Sequence, residues 1–569
     1  MPLFPKSRPL SAALIAAILV LIFVPLALRP LFNLNEGLYA EAAREMLAHN
    51  PLIPRLDGMP YLEKPPIFYW LIMLSYKVFG IGKFAARLPS AISALATIAM
   101  VARFARDRVT PALWPPLLLL SSAGFYMMSQ LAMFDMTFTF FHTIALLAFF
   151  SYIERPARVS RLWLAAAASA LACLTKGLIG IVLPGLIVIT FLAWERKTLP
   201  WRPFLVAWLV FFVIVLPWHI WMTLHVPHFF DRYIIQEHFD RFLGTLKPMD
   251  YRRPPLYYNL EHILIGVFPW TPFLIDALIE RRPYDRLDRF LLVWAGVYLV
   301  FFTVSKTSSS YYMLPIMPAL ALFVGRAMGQ RKGRAFLWIA GSFAALCLAG
   351  AGVAFVLPHP AMRPYVAAAS LLYFGFFVAV LRSGRGPTAP TLGILAVGAL
   401  SGFSALFLTF SLIHPNRYAS QDLARALLPH LTPSSYVFVA RQYEDLSSLD
   451  FYLNRPIYVF DPHQGDLYYG IRHDSAVHRL IRGAALRRLA RTQRVFIVGP
   501  VSARAGWNRY GRFRVIASNG RDVAVENIRP AQRDPVARPK PTRASRSPAY
   551  SARPSHPDQG RRHARPQLR

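Results

Sequence analysis

Short groups of ionisable and aromatic residues punctuate an otherwise apolar chain. They are Asn35-Glu36-Gly37-Leu38-Tyr39-Ala40-Glu41, Tyr61-Leu62-Glu63-Lys64-Pro65-Pro66, Phe134-Asp135, Thr175-Lys176-Gly177, Gln236-Glu237-His238-Phe239-Asp240-Arg241, Arg252-Arg253, Ser305-Lys306 and Tyr311-Tyr312. Ionisable groups near a bilayer are costly, so a cluster of them on one membrane face marks function. Lys and Arg hold phosphate. A carboxylate such as Glu36 or, second, Asp135 can take the proton of an attacking nucleophile. A carboxylate and an imidazole can share a divalent cation that steadies a departing phosphate. Tyrosines stack on a sugar or sit at headgroup level. Together these are the parts needed to move a group from an anionic lipid carrier. Several keep a second reading. Lys176 and Lys306 read equally as snorkelling residues, Tyr311 and Tyr312 as an aromatic belt, Arg252 and Arg253 as headgroup contacts, and Asp135 and Asn35 as helix caps.

The elements that must position these residues follow from composition and hydropathy. The 569 residues are 55% hydrophobic and only 16% charged, which excludes an ordinary soluble protein. Uncharged runs of about twenty residues match the thickness of a hydrocarbon layer. The first, roughly Leu10 to Leu31, lacks a small-x-small cleavage site after it and reads as a retained anchor. Further spans are expected near 83–102, 111–129, 132–153, 162–175, 177–194, 203–222, 258–278, 290–305, 311–328, 335–357, 364–381 and 390–413, giving about thirteen transmembrane helices. Arginine-rich loops alternate with nearly uncharged ones, so the positive-inside rule puts the N-terminus in the cytoplasm and the chemistry on the periplasmic face. The net charge of +34 sits in those loops and in the tail, a membrane pattern that argues against nucleic acid. Cys173 and Cys347 both lie in apolar runs and offer no disulfide framework.

The expected fold is therefore a polytopic α-helical membrane protein with periplasmic interfacial helices and a small C-terminal α/β domain. The transmembrane part covers 1–413, with long periplasmic loops at 32–82 and 222–258. In the first loop Leu38, Ala42, Met46 and Leu47 share one helical face, and Ile67 to Phe79 reads as a second surface helix. Within 414–528 the segments 436–440, 457–460, 495–498, 515–517 and 523–525 read as strands. The segment 529–569 is rich in Pro, Arg and Ser and reads as a disordered basic tail.

The order of these motifs resembles the bacterial C-superfamily glycosyltransferases related to protein O-mannosyltransferases. Within that group the chain is most like the aminoarabinose lipid A transferases. Tyr61-x-Glu63-Lys64-Pro65-Pro66 following Asn35-Glu36-x-x-Tyr39-Ala40-Glu41 carries the likeness, which extends over about residues 10–530. The resemblance implies inverting transfer of a sugar from polyprenyl phosphate, usually undecaprenyl phosphate, to a lipid A-like, glycan or protein acceptor. It implies Glu63 and His238 as ligands of a divalent metal, Zn or Mg, Lys64 as the donor-phosphate lysine, Tyr39 and Tyr61 as neighbouring site residues, and Asp135 as a second far-side acid. Lys306, Tyr311 and Tyr312 complete the expected donor site. Asn35 departs from the family pattern, where Asp stands, and a neutral amide cannot act as a base. Leu38 occupies the place of a frequent arginine. The competing class is a polytopic transporter or flippase of a lipid-linked substrate, which would need ionisable groups near the midplane and a repeat of broken helices. A scaffold would need none of these polar residues. The expectation is a monomeric inner-membrane enzyme in contact with membrane lipids.

Overall fold

The computed structural model describes residues 8–528, apart from short stretches at 199, 247–253, 280–282, 329–333, 357–359, 361–362, 384–388, 414–417 and most of 461–479. Arg252, Arg253 and the basic tail 529–569 lie outside the described residues.

The chain is mostly helical. It opens with α1 (Arg8–Leu28), α2 (Glu36–Ala48), α3 (Ile67–Phe79), α4 (Lys83–Ala105), α5 (Trp114–Leu120) and α6 (Ala123–Ser129). There follow α7 (Phe134–Glu154), α8 (Ser160–Lys176), α9 (Ile179–Glu195) and α10 (Trp201–His225). Among the described residues five helices are long and apolar enough to cross a membrane, including α4, α7, α10 and Arg286–Val304. Apolar side chains on these helices satisfy the bilayer while every backbone group bonds within its own helix. The protein is thus a multi-pass membrane protein of at least five spans.

Three expected spans are broken, each for a local reason. The segment 111–129 splits at Ser121-Ser122, whose hydroxyls donate back to the carbonyls of Leu117 and Leu118 at 2.6 and 2.7 Å. Hydroxyls that bond the preceding turn bend helices. The segment 258–278 turns by 115° between Tyr258–Val267 and Thr271–Ile279. Pro269 sits in that break, where a missing N–H and a restricted preceding residue end the helix. The segment 311–328 begins as a 3-10 turn, Ser310–Ile316, before Met317–Ala327.

Between α2 and α3 a two-stranded hairpin, β1 (Arg55–Leu56) and β2 (Met59–Pro60), closes through Asp57-Gly58. Both turn residues have positive φ, 51° and 82°, as a tight two-residue hairpin requires. The five strands expected after 414 are present as β3 (Tyr436–Val439), β4 (Tyr458–Phe460), β6 (Val495–Pro500), β7 (Phe513–Ser518) and β8 (Asp522–Asn527), with the short β5 (Leu480–Ile481) added at one edge. The sheet order is β5-β4-β3-β6-β8-β7, parallel from β5 to β6 and antiparallel through β8 and β7. The region around this sheet grips the first loop. Asn33 Oδ1 accepts from Ser448 N and Oγ at 3.1 and 2.6 Å, Arg44 donates to Asn454 at 2.6 Å, and Asp57 accepts from Ile457 N at 2.8 Å. Gly37 makes the approach possible, since a Cβ there would stand 2.5 Å from the Ser448 backbone.

Candidate active site

A cavity of about 330 Å³ opens where α8 meets α9, lined by Glu63, Lys64, Lys176, Glu237, His238 and Arg241 on its polar side. Phe239, Phe242, Leu243, Phe301, Phe302 and Tyr312 are among its apolar and aromatic walls. Charged groups at one end and hydrocarbon walls at the other suit a lipid with an anionic head.

Each polar group is placed by a local device. Lys176 is the last residue of α8, and Gly177, at φ +91°, ends the helix. A cation is favoured at that terminus. Phe230–Asp240 is a π-helix, a rare form that collects at functional sites. It carries Arg232, Glu237 and His238 on one stretch and leads into Arg241. His238 Nδ1 donates to the Tyr233 carbonyl at 2.6 Å and Nε2 accepts the Leu178 N–H at 3.0 Å, so the tautomer is Nδ1–H. Burial pushes its pKa down to about 4, and the ring is neutral at pH 7. Only glycine fits opposite it, because a Cβ on Gly177 would lie 2.0 Å from Nε2.

Four cations stand among three carboxylates. Arg232 bonds Glu63 at 2.7 Å and approaches Glu237 at 3.0 Å, while Arg241 bonds Glu237 at 2.6 Å and approaches Glu63 at 3.7 Å. Burial opposes ionisation of Glu237, but Arg241, Lys64 and Arg232 outweigh it and hold its carboxyl below the ordinary range. Lys64 donates to the Glu63 carbonyl at 3.1 Å and stands 3.6 Å from Glu237. An ammonium has three donors, so Lys64 keeps capacity for a ligand. Lys176 pairs with Asp135, the second residue of α7, and lies over the rings of Tyr312 at 4.6 Å and Tyr311 at 5.6 Å. The second oxygen of Asp135, Oδ2, is buried and accepts no hydrogen bond among the described residues.

Of the residues singled out in the sequence, Glu63, Lys64, Lys176, Glu237, His238, Arg241 and Tyr312 line the cavity. Tyr61 braces Glu63 through its hydroxyl at 3.1 Å, Tyr311 flanks Lys176, and Asp135 stands directly behind Lys176. Lys306 is exposed beside the cavity wall, its stem packed 3.0 Å from where a Gly244 Cβ would be. Tyr39 is buried against Phe134 at 4.9 Å and donates to Asn35 at 3.2 Å. Glu36 is elsewhere. Its Oε1 accepts from Arg87 Nε at 2.6 Å and Ala132 N at 2.9 Å, and its Oε2 accepts from Arg87 at 2.7 Å and Phe32 N at 3.0 Å. Burial raises the cost of that charge, but Arg87 and Arg29 hold the carboxyl below its usual value. Glu36 is a clamp tying α2 to α4, poorly suited to be a base. Glu237 and Arg241 stood in the sequence motif 236–241 without a role of their own, and Arg232 was missed. The signal was the Glu237/Arg241 spacing of four, which pairs charges on one helical face.

The residues expected to hold a metal do not fit one. Both Glu63 oxygens face guanidinium or phenol donors, the His238 lone pair accepts an N–H, and Lys64, Arg232 and Arg241 already supply positive charge. Among the described residues there is no group of three or more His, Cys, Asp or Glu side chains able to hold an ion.

Residues 63–221 match the family model for dolichyl-phosphate-mannose-protein mannosyltransferase. The chain is 28% identical over 87% of its length to the undecaprenyl phosphate-alpha-4-amino-4-deoxy-L-arabinose arabinosyl transferase of Shewanella sediminis, covering 93% of that protein. The enzyme of the same name from Edwardsiella ictaluri is 28% identical over 82% of this chain and 89% of its own. The crystal structure of ArnT from Cupriavidus metallidurans bound to undecaprenyl phosphate superposes with a TM-score of 0.82 at 25% identity, covering 94% of this chain and all of the other. Fold and sequence make the chain a membrane glycosyltransferase of the C-superfamily. Within it, the chain is of the aminoarabinose lipid A transferase type.

Proposed function

We propose that the chain transfers a sugar from a polyprenyl-phosphate carrier, with undecaprenyl phosphate as the carrier class, to a lipid A-like acceptor at the periplasmic face of the inner membrane. The observation that carries this reading is the cavity with Lys64, Lys176 and Arg241 at its head and aromatic and aliphatic walls behind, in a chain whose relatives are named for that donor. The arginine-rich loops support a cytoplasmic N-terminus, thirteen spans and a periplasmic α/β domain over 414–528.

In the reaction the acceptor oxygen attacks the anomeric carbon, the bond from that carbon to the phosphate oxygen breaks, and polyprenyl phosphate departs with inversion. Lys64 and Arg241 hold the phosphate and offset the charge that grows on it. A hydroxyl acceptor gives its proton to Asp135 Oδ2. A phosphate acceptor attacks as an anion and gives up none. Tyr311 and Tyr312 frame the ammonium of Lys176, which pairs with Asp135 and fixes its side chain. Glu63 and His238 serve as positioning residues. No step runs through a metal.

The reading is tested by expressing the chain in a bacterium lacking its own aminoarabinose transferase and weighing its lipid A. Gain of an aminopentose is expected. Unchanged lipid A, with the donor present and the protein in the membrane, overturns the proposed acceptor.

A further inference from the structure

A second cavity lies at the other end of α7. It measures about 570 Å³ and sits between the ends of α4 and α7 and the start of α8. Asp135 and Glu154 are nineteen residues apart on α7, about 28 Å at the rise of an α-helix. The cavity and the candidate active site therefore sit on opposite membrane faces.

Six arginines line it, Arg103, Arg106, Arg108, Arg155, Arg158 and Arg161, against two carboxylates, Asp107 and Glu154. Glu154 is already paired with Arg108, and Arg161 donates to the Ser151 carbonyl at 2.6 Å. Arg103, Arg106, Arg155 and Arg158 are exposed and have no carboxylate partner among the described residues. Beneath this ring the lining turns apolar, with Met100, Ile144, Leu147 and Leu164. The positive-inside rule accounts for arginines at this face, but not for their convergence around a hollow with a hydrocarbon floor. A soluble anion would use the rim and leave the floor wet. A phospholipid uses both, with phosphate on the guanidiniums and acyl chain on the floor.

We propose that this cavity binds the headgroup and first acyl carbons of an anionic phospholipid. The lipid neutralises a net positive charge that would otherwise splay α4 from α7 and α8. Basic pockets between membrane helices suit such headgroups.

The test uses the full chain in detergent, titrated with fluorescent cardiolipin. One variant carries Arg155→Gln with Arg158→Gln. A control removes two exposed arginines at helix ends outside the cavity, Arg202→Gln with Arg382→Gln. At roughly fivefold per arginine, from ~1 kcal/mol each at a membrane surface, the cavity variant is expected to bind about 25-fold more weakly while the control stays within a few fold of native. Equal loss in both variants would show a diffuse field with no site, and overturns the proposal. So does displacement of the lipid by inorganic pyrophosphate at equal phosphate concentration, which would mark a soluble-anion site. Ala148→Trp, which obstructs the floor and leaves the charge intact, is expected to weaken cardiolipin tenfold or more. Unchanged binding there also overturns the proposal.

Discussion

A buried carboxylate can serve as a base only through an oxygen that is not already accepting. Asp135 has one such oxygen, Oδ2, beside Lys176, whereas both oxygens of Glu36 take two donors each. The two carboxylates should therefore fail differently. Asp135→Asn is expected to lower kcat by 10²-fold or more, the usual scale for a lost general base, in a protein that is destabilised by the loss of the Lys176 partner but still melts cooperatively, if the acceptor is a hydroxyl. Glu36→Gln should cost about 3–5 kcal/mol of stability by leaving Arg87 buried without its partner, seen as a lower melting temperature in detergent. A Glu36→Gln protein that melts normally yet cannot turn over would return the base to Glu36. The cations and donors around Glu63 and His238 lead to a related expectation: dialysis against a chelator leaves transfer activity intact, and an activity restored only by Zn or Mg would contradict it.

At the scale of elements, the turn between α8 and α9 and the π-helix are built for each other. His238 caps the Leu178 N–H, and Gly177 leaves the space for its ring. Gly177→Ala is expected to push the imidazole away, loosen Lys176 and Arg241 together, and reduce kcat/KM by about 10²-fold, as misplacement near 1 Å can. An alanine variant with native kinetics would mean that His238 does not position the site. Much of this level was legible in advance. Helices α2 and α3 and five strands fall where the pattern of apolar residues put them, and α4, α7 and α10 fall where uncharged runs of spanning length put them. The breaks at Ser121, Pro269 and Pro315 were not, since a hydropathy window averages over a single residue that ends a helix. The π-helix was also hidden: its extra residue per turn depends on Tyr233 and His238 meeting across five positions, which no 3.6-residue pattern signals. Lys64 and Glu63 were readable because their motif is short and unusual. Arg232 was not, because its partner Glu63 is 169 residues away.

For the whole molecule, the join between the first loop and the C-terminal region carries a buried acidic cluster. Burial, and then Asp57, raise the Asp450 carboxyl well above the ordinary range, and burial followed by Asp450 does the same for Glu41. The folded state therefore holds these protons more tightly than the unfolded chain. Their stabilising contribution is complete below about pH 4, the ordinary carboxylate value, and is lost as pH rises toward the raised folded values. The melting temperature should fall across that rise. Asp450→Asn, which keeps an acceptor for Tyr443, should flatten the dependence; an unchanged slope would place the titration elsewhere. The same join ties Asn33 and Arg44 to the C-terminal region, while Glu36 ties the start of α2 to Arg87 of α4, so the loop bearing Glu63 and Lys64 is held from both sides.

The most direct measurement is single-turnover consumption of radiolabelled undecaprenyl-phosphate aminoarabinose in proteoliposomes containing lipid A, comparing native protein with Lys64→Gln. Native protein is expected to release undecaprenyl phosphate and label lipid A, with Lys64→Gln slower by at least 10²-fold in a protein that still melts cooperatively. Equal rates for the two proteins, or no consumption by the native one, would contradict a donor phosphate held in this cavity.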